Sequence, residues 1–291
     1  NIIFILLPRA QVSANRICEV LNTESNIQDG QGAKVKDGCK GTVEFCNVSF
    51  RYPEAAADTL TDITFSAKQG ETVAFIGVTG SGKSTLINLI PRFYDATKGQ
   101  IFVDGVDVKE YEQKELRNKI GYISQKAVMF SGTVSSNVAY GENGGEPIGK
   151  QEIQEAIHTA QGTDFVEKMN GAYDARIAQG GTNLSGGQKQ RLSIARAIAR
   201  NPEILIFDDS FSALDYKTDR ALREALAERT KQVTKLIVAQ RISTIRHADR
   251  IIVLEHGKIV GQGTHEELLE NCEIYQEIAS SQLSKEEMNN G

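Results

Sequence analysis

Gly77-Val-Thr-Gly-Ser-Gly-Lys-Ser-Thr85 decides how the chain is read. It is the pattern G-x-x-x-x-G-K-[ST], with Gly77, Gly82, Lys83 and Ser84 in register. The run before it, Thr72-Val-Ala-Phe-Ile76, is β-branched and apolar, as a strand buried in a parallel sheet should be. The run after it, Thr85 to Phe93, reads as a helix with Leu86, Leu89, Ile90 and Phe93 on one face. Strand, glycine loop and helix in that order give the pattern a mechanism. The glycines let the backbone wrap an anion with no Cβ in the way. Backbone N–H groups along Thr79, Gly80, Ser81, Gly82 and Thr85, with the positive helix end, then hold phosphate oxygens. Lys83 supplies a point charge to the β- and γ-phosphates, and the Ser84 hydroxyl is placed for Mg2+.

The chain has 291 residues, enough for one large or two modest domains. Its net charge of −5 argues against nucleic acid as the main partner, because such domains usually carry a basic face. Cys18, Cys39, Cys46 and Cys272 form no C-x-x-C pair and have no histidines at ligand spacing, so they read as reduced thiols. The first residue is Asn, which reads as a fragment of a longer chain. Ile2 to Leu7 is apolar but too short to span a bilayer, which takes about 20 apolar residues. It reads as the cut end of a membrane helix in preference to a core strand. Ala10, Ala14, Ile17 and Leu21 continue it in helical spacing.

Residues 22–41 are polar and rich in Gly, Asn and Asp, and read as a linker. Strands are expected at Thr42 to Phe50, Ile63 to Ala67, Ile101 to Val103 and Ile120 to Ser124, the last delivering Gln125. From about 127 to 195 the period turns helical, with Ile153, Ala156, Ile157 and Ala160 on one face. This block reads as a helical insertion in an α/β core. Leu-Ser-Gly-Gly-Gln at 184–188 leads into a further helix. Ile204-Leu-Ile-Phe207 is a fully apolar strand ending in Asp208-Asp209, and an acid at the carboxyl end of such a strand sits where α/β folds place ligands. A helix over 217–229 follows, then a strand Lys235 to Ala239 ending at Gln240, then strands Arg250 to Leu254 and Lys258 to Gln262. Thr264-His-Glu-Glu267 is a capping box for a C-terminal helix.

The glycine loop with Leu-Ser-Gly-Gly-Gln between it and the Asp208 strand resembles the ATP-binding cassette (ABC) family, over roughly residues 42–282. The resemblance implies an α/β fold: a P-loop NTPase core with a mixed, largely parallel sheet flanked by helices, an antiparallel β subdomain and an α-helical subdomain. It also implies ATP and Mg2+ as cofactors. Residues 1–21 look like the cytosolic end of the last membrane helix of an exporter half-transporter, 22–41 like a linker, and 283–291 like a tail. Tyr52 matches the aromatic that stacks on adenine, and its place in Phe50-Arg-Tyr-Pro53 ahead of the glycine loop favours stacking over a core ring. Gln125 matches the glutamine that joins Mg2+ and the γ-phosphate region to the membrane domain. Asp208 matches the Walker B acid that holds the metal through water. Asp215, in Ser212-Ala-Leu-Asp215, matches the D-loop residue that communicates across a dimer. Ser185, Gly186, Gly187 and Gln188 form a second anion cradle at a helix N-terminus, facing a nucleotide held by another subunit. The implied partners are the chain's own transmembrane domain and a second nucleotide-binding domain, at the cytoplasmic face of the cell membrane.

Two positions depart from the family. The residue after the Walker B acid is usually Glu; here it is Asp209. The switch at the end of the later strand is usually His; here it is Gln240. Asp reaches about 1.5 Å less than Glu. A general base must come within about 2.6–3.2 Å of its proton, and a misplacement of about 1 Å costs on the order of 10²-fold in rate. Gln240 can hydrogen-bond but carries no charge. Together they point to a site that binds ATP and hydrolyses it poorly, beside an intact LSGGQ that completes a partner's site, as in a heterodimeric exporter. The alternatives are a homodimer with slow turnover and a regulatory ATP-binding module. A third departure is Ala178-Gln-Gly-Gly181, where exporters usually carry Glu-Arg-Gly, in a segment that meets the membrane domains.

Overall fold

The computed structural model describes residues 2–32, 35, 38–141 and 143–282; the tail expected at 283–291 lies outside them. Six strands make one sheet in the order Lys258–Gly263, Arg250–Glu255, Thr72–Ile76, Thr234–Val238, Ile204–Asp208 and Ile120–Ile123. Five of them run parallel, and only the edge strand Lys258–Gly263 is antiparallel. A second sheet is antiparallel: Leu60–Ala67, Val43–Phe50, Lys98–Val103 and Val106–Asp107. The fold is therefore the mixed α/β architecture expected, with its antiparallel layer.

The central strands are buried on both faces, which is why they read as unbroken apolar runs. Side chains alternate along a strand, so neighbours enter different cores. Val73, Phe75, Ile204 and Ile206 face the antiparallel sheet, in a core with Phe45, Phe65 and the helix residues Leu86, Ile87 and Leu89. Ala74, Ile76, Leu205 and Phe207 face the opposite side, where they meet Ile153, Ile157, Leu192, Leu222 and Tyr275 from the helices. Phe45 stacks on Phe65 at 4.6 Å, and Phe65 meets Phe75 edge-on at 5.3 Å, tying one sheet to the other.

The helix after the glycine loop differs from its expected span. It runs Lys83–Leu89 rather than 85–93. Pro91 has no N–H to continue the ladder. The chain closes instead with Arg92 N–H donating to Leu89 C=O and Phe93 N–H to Asn88 C=O, with Arg92 at φ 54°. Phe93 thus leaves the apolar face and is 41% exposed. The block from 127 to 195 holds the helices Val134–Val138, Lys150–Thr159 and Thr163–Val166, and most of Gly186–Ala199. A two-stranded ladder, Gly132–Thr133 with Arg176–Ile177, closes its base; two-residue strands leave too little alternation to be seen in sequence.

Ile2–Leu21 is a helix with no buried residue, not a core strand. Its side chains from Ile2 to Leu7 are all more than half exposed. Among the described residues, no helix is long and apolar enough to cross a membrane. The polar stretch that follows is tied down in part. Gly30 N–H donates to Tyr111 C=O at 2.9 Å, and Asp29 accepts the Gln113 N–H at 2.9 Å at the start of the helix Gln113–Asn118.

An ion pair joins the antiparallel layer to the parallel sheet. Asp104, fully buried at a turn, accepts the Gly41 N–H at 2.6 Å and pairs with Lys119 at 2.8 Å; Lys119 also reaches Glu203 at 3.3 Å. Burial pulls the Lys119 ammonium down, but its bond to Asp104 and the charges of Asp104 and Glu203 outweigh this and hold it above its ordinary value. Asp104→Asn keeps an acceptor for Gly41 and removes the charge. It is expected to lower unfolding stability by about 2 kcal/mol, read from denaturant midpoints at constant slope; an unchanged midpoint would refute the pairing.

Candidate nucleotide site

The strand Thr72–Ile76 ends at the sheet's carboxyl edge and hands the chain to the glycine loop. Gly77 is at φ 155°, Gly80 at φ 85° and Gly82 at φ 98°, so the loop turns through conformations side chains avoid. Thr79, Gly80 and Ser84 are exposed, while Ser81, Gly82, Lys83 and Thr85 are buried. The Lys83 ammonium folds back into the loop. It donates to Gly77 C=O at 2.7 Å, Val78 C=O at 2.9 Å and Ser81 Oγ at 3.2 Å. Burial holds this ammonium below the ordinary lysine value, against the pull of Asp209 and Asp208.

Beside the loop, the sheet delivers two acids with different partners. Asp208 closes the strand Ile204–Asp208. Its Oδ1 accepts the Ser84 hydroxyl at 2.8 Å and its Oδ2 the Tyr122 hydroxyl at 3.2 Å. Tyr122 OH also lies 2.8 Å from Asn88 Oδ1. Burial, then the Asp208 charge, push the Tyr122 phenol well above its ordinary range, so it stays protonated as a donor. Asp209 turns away at φ 48°, its N–H donating to Val238 C=O at 3.0 Å. One oxygen, Oδ2, accepts from both Gln240 Nε2 at 2.8 Å and Gln125 Nε2 at 3.2 Å. Burial raises the Asp209 carboxyl above the usual range; the Gln125 bond opposes this and the neighbouring Asp208 charge adds to it.

These residues line one open cleft of about 350 Å3: Thr79, Gly80, Gly82, Lys83, Ser84, Thr85, Gln125, Asp209 and Gln240, with Thr59 and Val238. Of the residues expected around a metal, Ser84 and Asp208 are bonded to each other, whereas Gln125 lies against Asp209 instead. A hydroxyl and a carboxylate are hard oxygen donors, and Mg2+ typically takes one or two protein ligands, completing its shell with phosphate oxygens and water. Ser84 and Asp208 fit that role, and no cluster of three or more His, Cys, Asp or Glu able to hold a metal occurs among the described residues.

The other expected residues lie outside the cleft. The Tyr52 hydroxyl is 3.0 Å from Thr85 Oγ1, and its ring packs edge-on against Phe50 and Tyr94. Ser185 caps the helix Gly186–Ala199: its Oγ accepts the Gln188 N–H at 3.3 Å, and Gln188 Oε1 accepts the Ser185 N–H at 2.9 Å. Ser185 and Gly186 are exposed, and nothing lies within 4 Å of a Cβ built on Gly186. Asp215 is the N-cap of Tyr216–Arg229, accepting the Thr218 N–H at 2.9 Å and its hydroxyl at 2.7 Å; these bonds hold its carboxyl below the usual range. Sequence reasoning missed Tyr122 and Asn88. In sequence Tyr122 shows only as part of a short strand; its pairing opposite Ile206, two residues before Asp208, is what puts it beside the acid.

A parallel sheet whose carboxyl edge feeds a lysine-bearing glycine loop and a hydroxyl–carboxylate pair defines a P-loop nucleotide-binding domain. The family model described as ABC transporter matches residues 60–212, and the chain belongs to that family, as an ATP-binding domain. An uncharacterized ABC transporter ATP-binding protein of Mycobacterium tuberculosis is 46% identical over 278 residues, 95% of this chain and 47% of the relative. A putative multidrug export ATP-binding/permease protein of Staphylococcus aureus is 44% identical over 266 residues, 91% of this chain and 46% of the relative. A solved bacterial Atm1-family ABC exporter with ATP bound superposes with a TM-score of 0.89 at 32% identity, over 98% of this chain and 49% of that one. The chain thus spans about half the length of the relatives it matches.

Proposed function

We propose that this domain binds ATP with Mg2+ at Gly77–Thr85 and drives export of a substrate across a membrane, from the cytoplasmic face. Its own site turns ATP over weakly. Its Ser185–Gln188 segment completes a competent site on a second nucleotide-binding domain, in a different half-transporter subunit. Mg2+ at Ser84 and Asp208 would offset charge on the phosphate oxygens. Lys83 would neutralise the terminal phosphates, and Tyr52 would lie under the base. The exposed helix Ile2–Leu21, apolar from Ile2 to Leu7, would continue into the chain's own membrane domain. The likeness to exporters that carry this domain and a membrane part supports the reading.

The observation that carries the weak-turnover part is the arrangement at Asp209. Its Oδ2 accepts two neutral amides, Gln125 and Gln240, from the same chain. A carboxylate already one methylene short is thereby held toward its own sheet edge. Its raised pKa reflects a charge poorly solvated where it stands. The exposed Ser185–Gly186 turn, away from this cleft, supports a role toward another subunit.

The test is ATPase activity of the full-length protein with its partner subunit. Asp209→Ala is expected to leave turnover within about twofold, and Ser185→Ala to lower it on the order of 10²-fold, as when an oxyanion-type donor is removed. If Asp209→Ala abolishes turnover instead, this chain's own site is the catalytic one.

A further inference from the structure

The C-terminal helix ends on the loop that carries Gln240. Gln282, the last residue of Glu273–Gln282, makes two bonds to one backbone turn. Its Oε1 accepts the Ile242 N–H at 2.9 Å, and its Nε2 donates to the Gln240 C=O at 2.8 Å. A single planar amide thus brackets Arg241 as a neighbouring strand would. The turn has a vacancy there by its own sequence. Ile242–Ile245 is a four-residue helix whose N-cap, Arg241, makes no side-chain capping bond. The first N–H groups of a helix need outside acceptors, and Gln282 supplies the one for Ile242.

The same turn projects the Gln240 side chain onto Asp209 Oδ2 at 2.8 Å. An unbroken chain of bonds therefore runs from Gln282 through the backbone of 240–242 to the acid in the cleft. The helix bearing Gln282 has a firm seat: Tyr275 and Ala279 are fully buried, and Tyr275 OH lies 2.7 Å from His265 Nδ1. Gln282 itself is exposed, so it adds little to that packing.

We propose that Gln282 is a positioning residue for the nucleotide site: a latch by which the C-terminal helix holds the Gln240 turn in register with Asp209 and lengthens the stay of ATP. This rests on the nucleotide-site reading above, with Gln240, which lines the cleft together with Lys83, meeting the terminal phosphate. ADP, lacking that phosphate, is indifferent to the latch.

Gln282→Ala and Gln282→Glu in the full-length protein test it. Glu keeps the acceptor for Ile242 and loses the donor to Gln240. Hydrogen exchange without nucleotide is read over residues 240–244, and release rates are measured for fluorescent ATP and ADP analogues. In Gln282→Ala the Ile242 amide is expected to exchange about 10-fold faster, as loss of one to two hydrogen bonds implies, and Gln282→Glu to restore its protection. The ATP analogue is expected to leave Gln282→Ala about 5- to 10-fold faster, with ADP release unchanged. Unchanged exchange overturns the latch. Equal acceleration of ATP and ADP overturns the positioning role and leaves a structural cap. If the wild type holds neither analogue, the nucleotide-site reading fails, and the exchange measurement alone decides the latch.

Discussion

Lys83→Met is expected to weaken ATP binding by at least about 100-fold, since two charge-assisted hydrogen bonds of about 1.5–3 kcal/mol each are lost. The nucleotide-free fold is expected to stay within about 1 kcal/mol of wild type, because two effects oppose. The ammonium donates to Gly77 C=O, Val78 C=O and Ser81 Oγ, and these bonds disappear. Its burial, which holds its pKa below the ordinary value of 10.5, is relieved. Between the lowered folded value and 10.5, the folded state binds fewer protons than the unfolded one. Wild-type stability therefore gains from this group as pH rises through that window, and the difference between wild type and Lys83→Met grows with it. Titration calorimetry with ATP gives the first result, and paired melts across that alkaline window give the second. Affinity within threefold of wild type would mean that Lys83 does not meet the phosphates.

At this site the sequence makes legible whatever short-range pattern dictates. The glycine loop is contiguous, and its positive-φ residues are glycines because other side chains are strained there. The strand Ile204–Asp208 showed as an apolar run because both its faces are covered. The capping box at Thr264 and Glu267 is a four-residue feature and formed as read. What escaped depends on pairing across the sheet. Tyr122 reaches Asp208 only because Ile120–Ile123 lies beside Ile204–Asp208. Gln282 finds the Gln240 turn across 42 residues of chain, with no local periodicity to announce it. Lys119 and Asp104 stand 15 residues apart in the chain and meet because two sheets pack. The helix end at Pro91 escapes the pattern for a different reason. The apolar spacing of Leu86, Leu89, Ile90 and Phe93 continued past a residue that cannot donate, and the missing donor prevailed over the pattern.

Gly77→Ala is expected to cost about 4 kcal/mol or more in stability, in the range reserved for backbone overlap in a packed core, and with it nucleotide binding. A Cβ on Gly77 would lie 2.0 Å from Leu254 C=O and 2.8 Å from Ser81 Oγ, at φ 155°. Leu254 cannot move aside. Its strand is paired on both edges, Leu254 with Ile259 and Val253 with Ile76. The loop must therefore shift, and Gly77 C=O leaves the Lys83 ammonium it accepts at 2.7 Å. Gly80→Ala provides the contrast. Gly80 is also in the left-handed region, at φ 85°, but nothing lies within 4 Å of a Cβ built there. It is expected to lose only about 1 kcal/mol, the conformational strain alone. A chain of this size should then show a drop in Tm of about 10 °C for Gly77→Ala and about 3 °C for Gly80→Ala. If the two variants melt together, the close approach of the loop to the strand Arg250–Glu255 does not hold the site. If Gly77→Ala falls much further than Gly80→Ala, the loop's shape is set from behind by that strand's backbone, and the phosphate cradle is as rigid as the sheet it leans on.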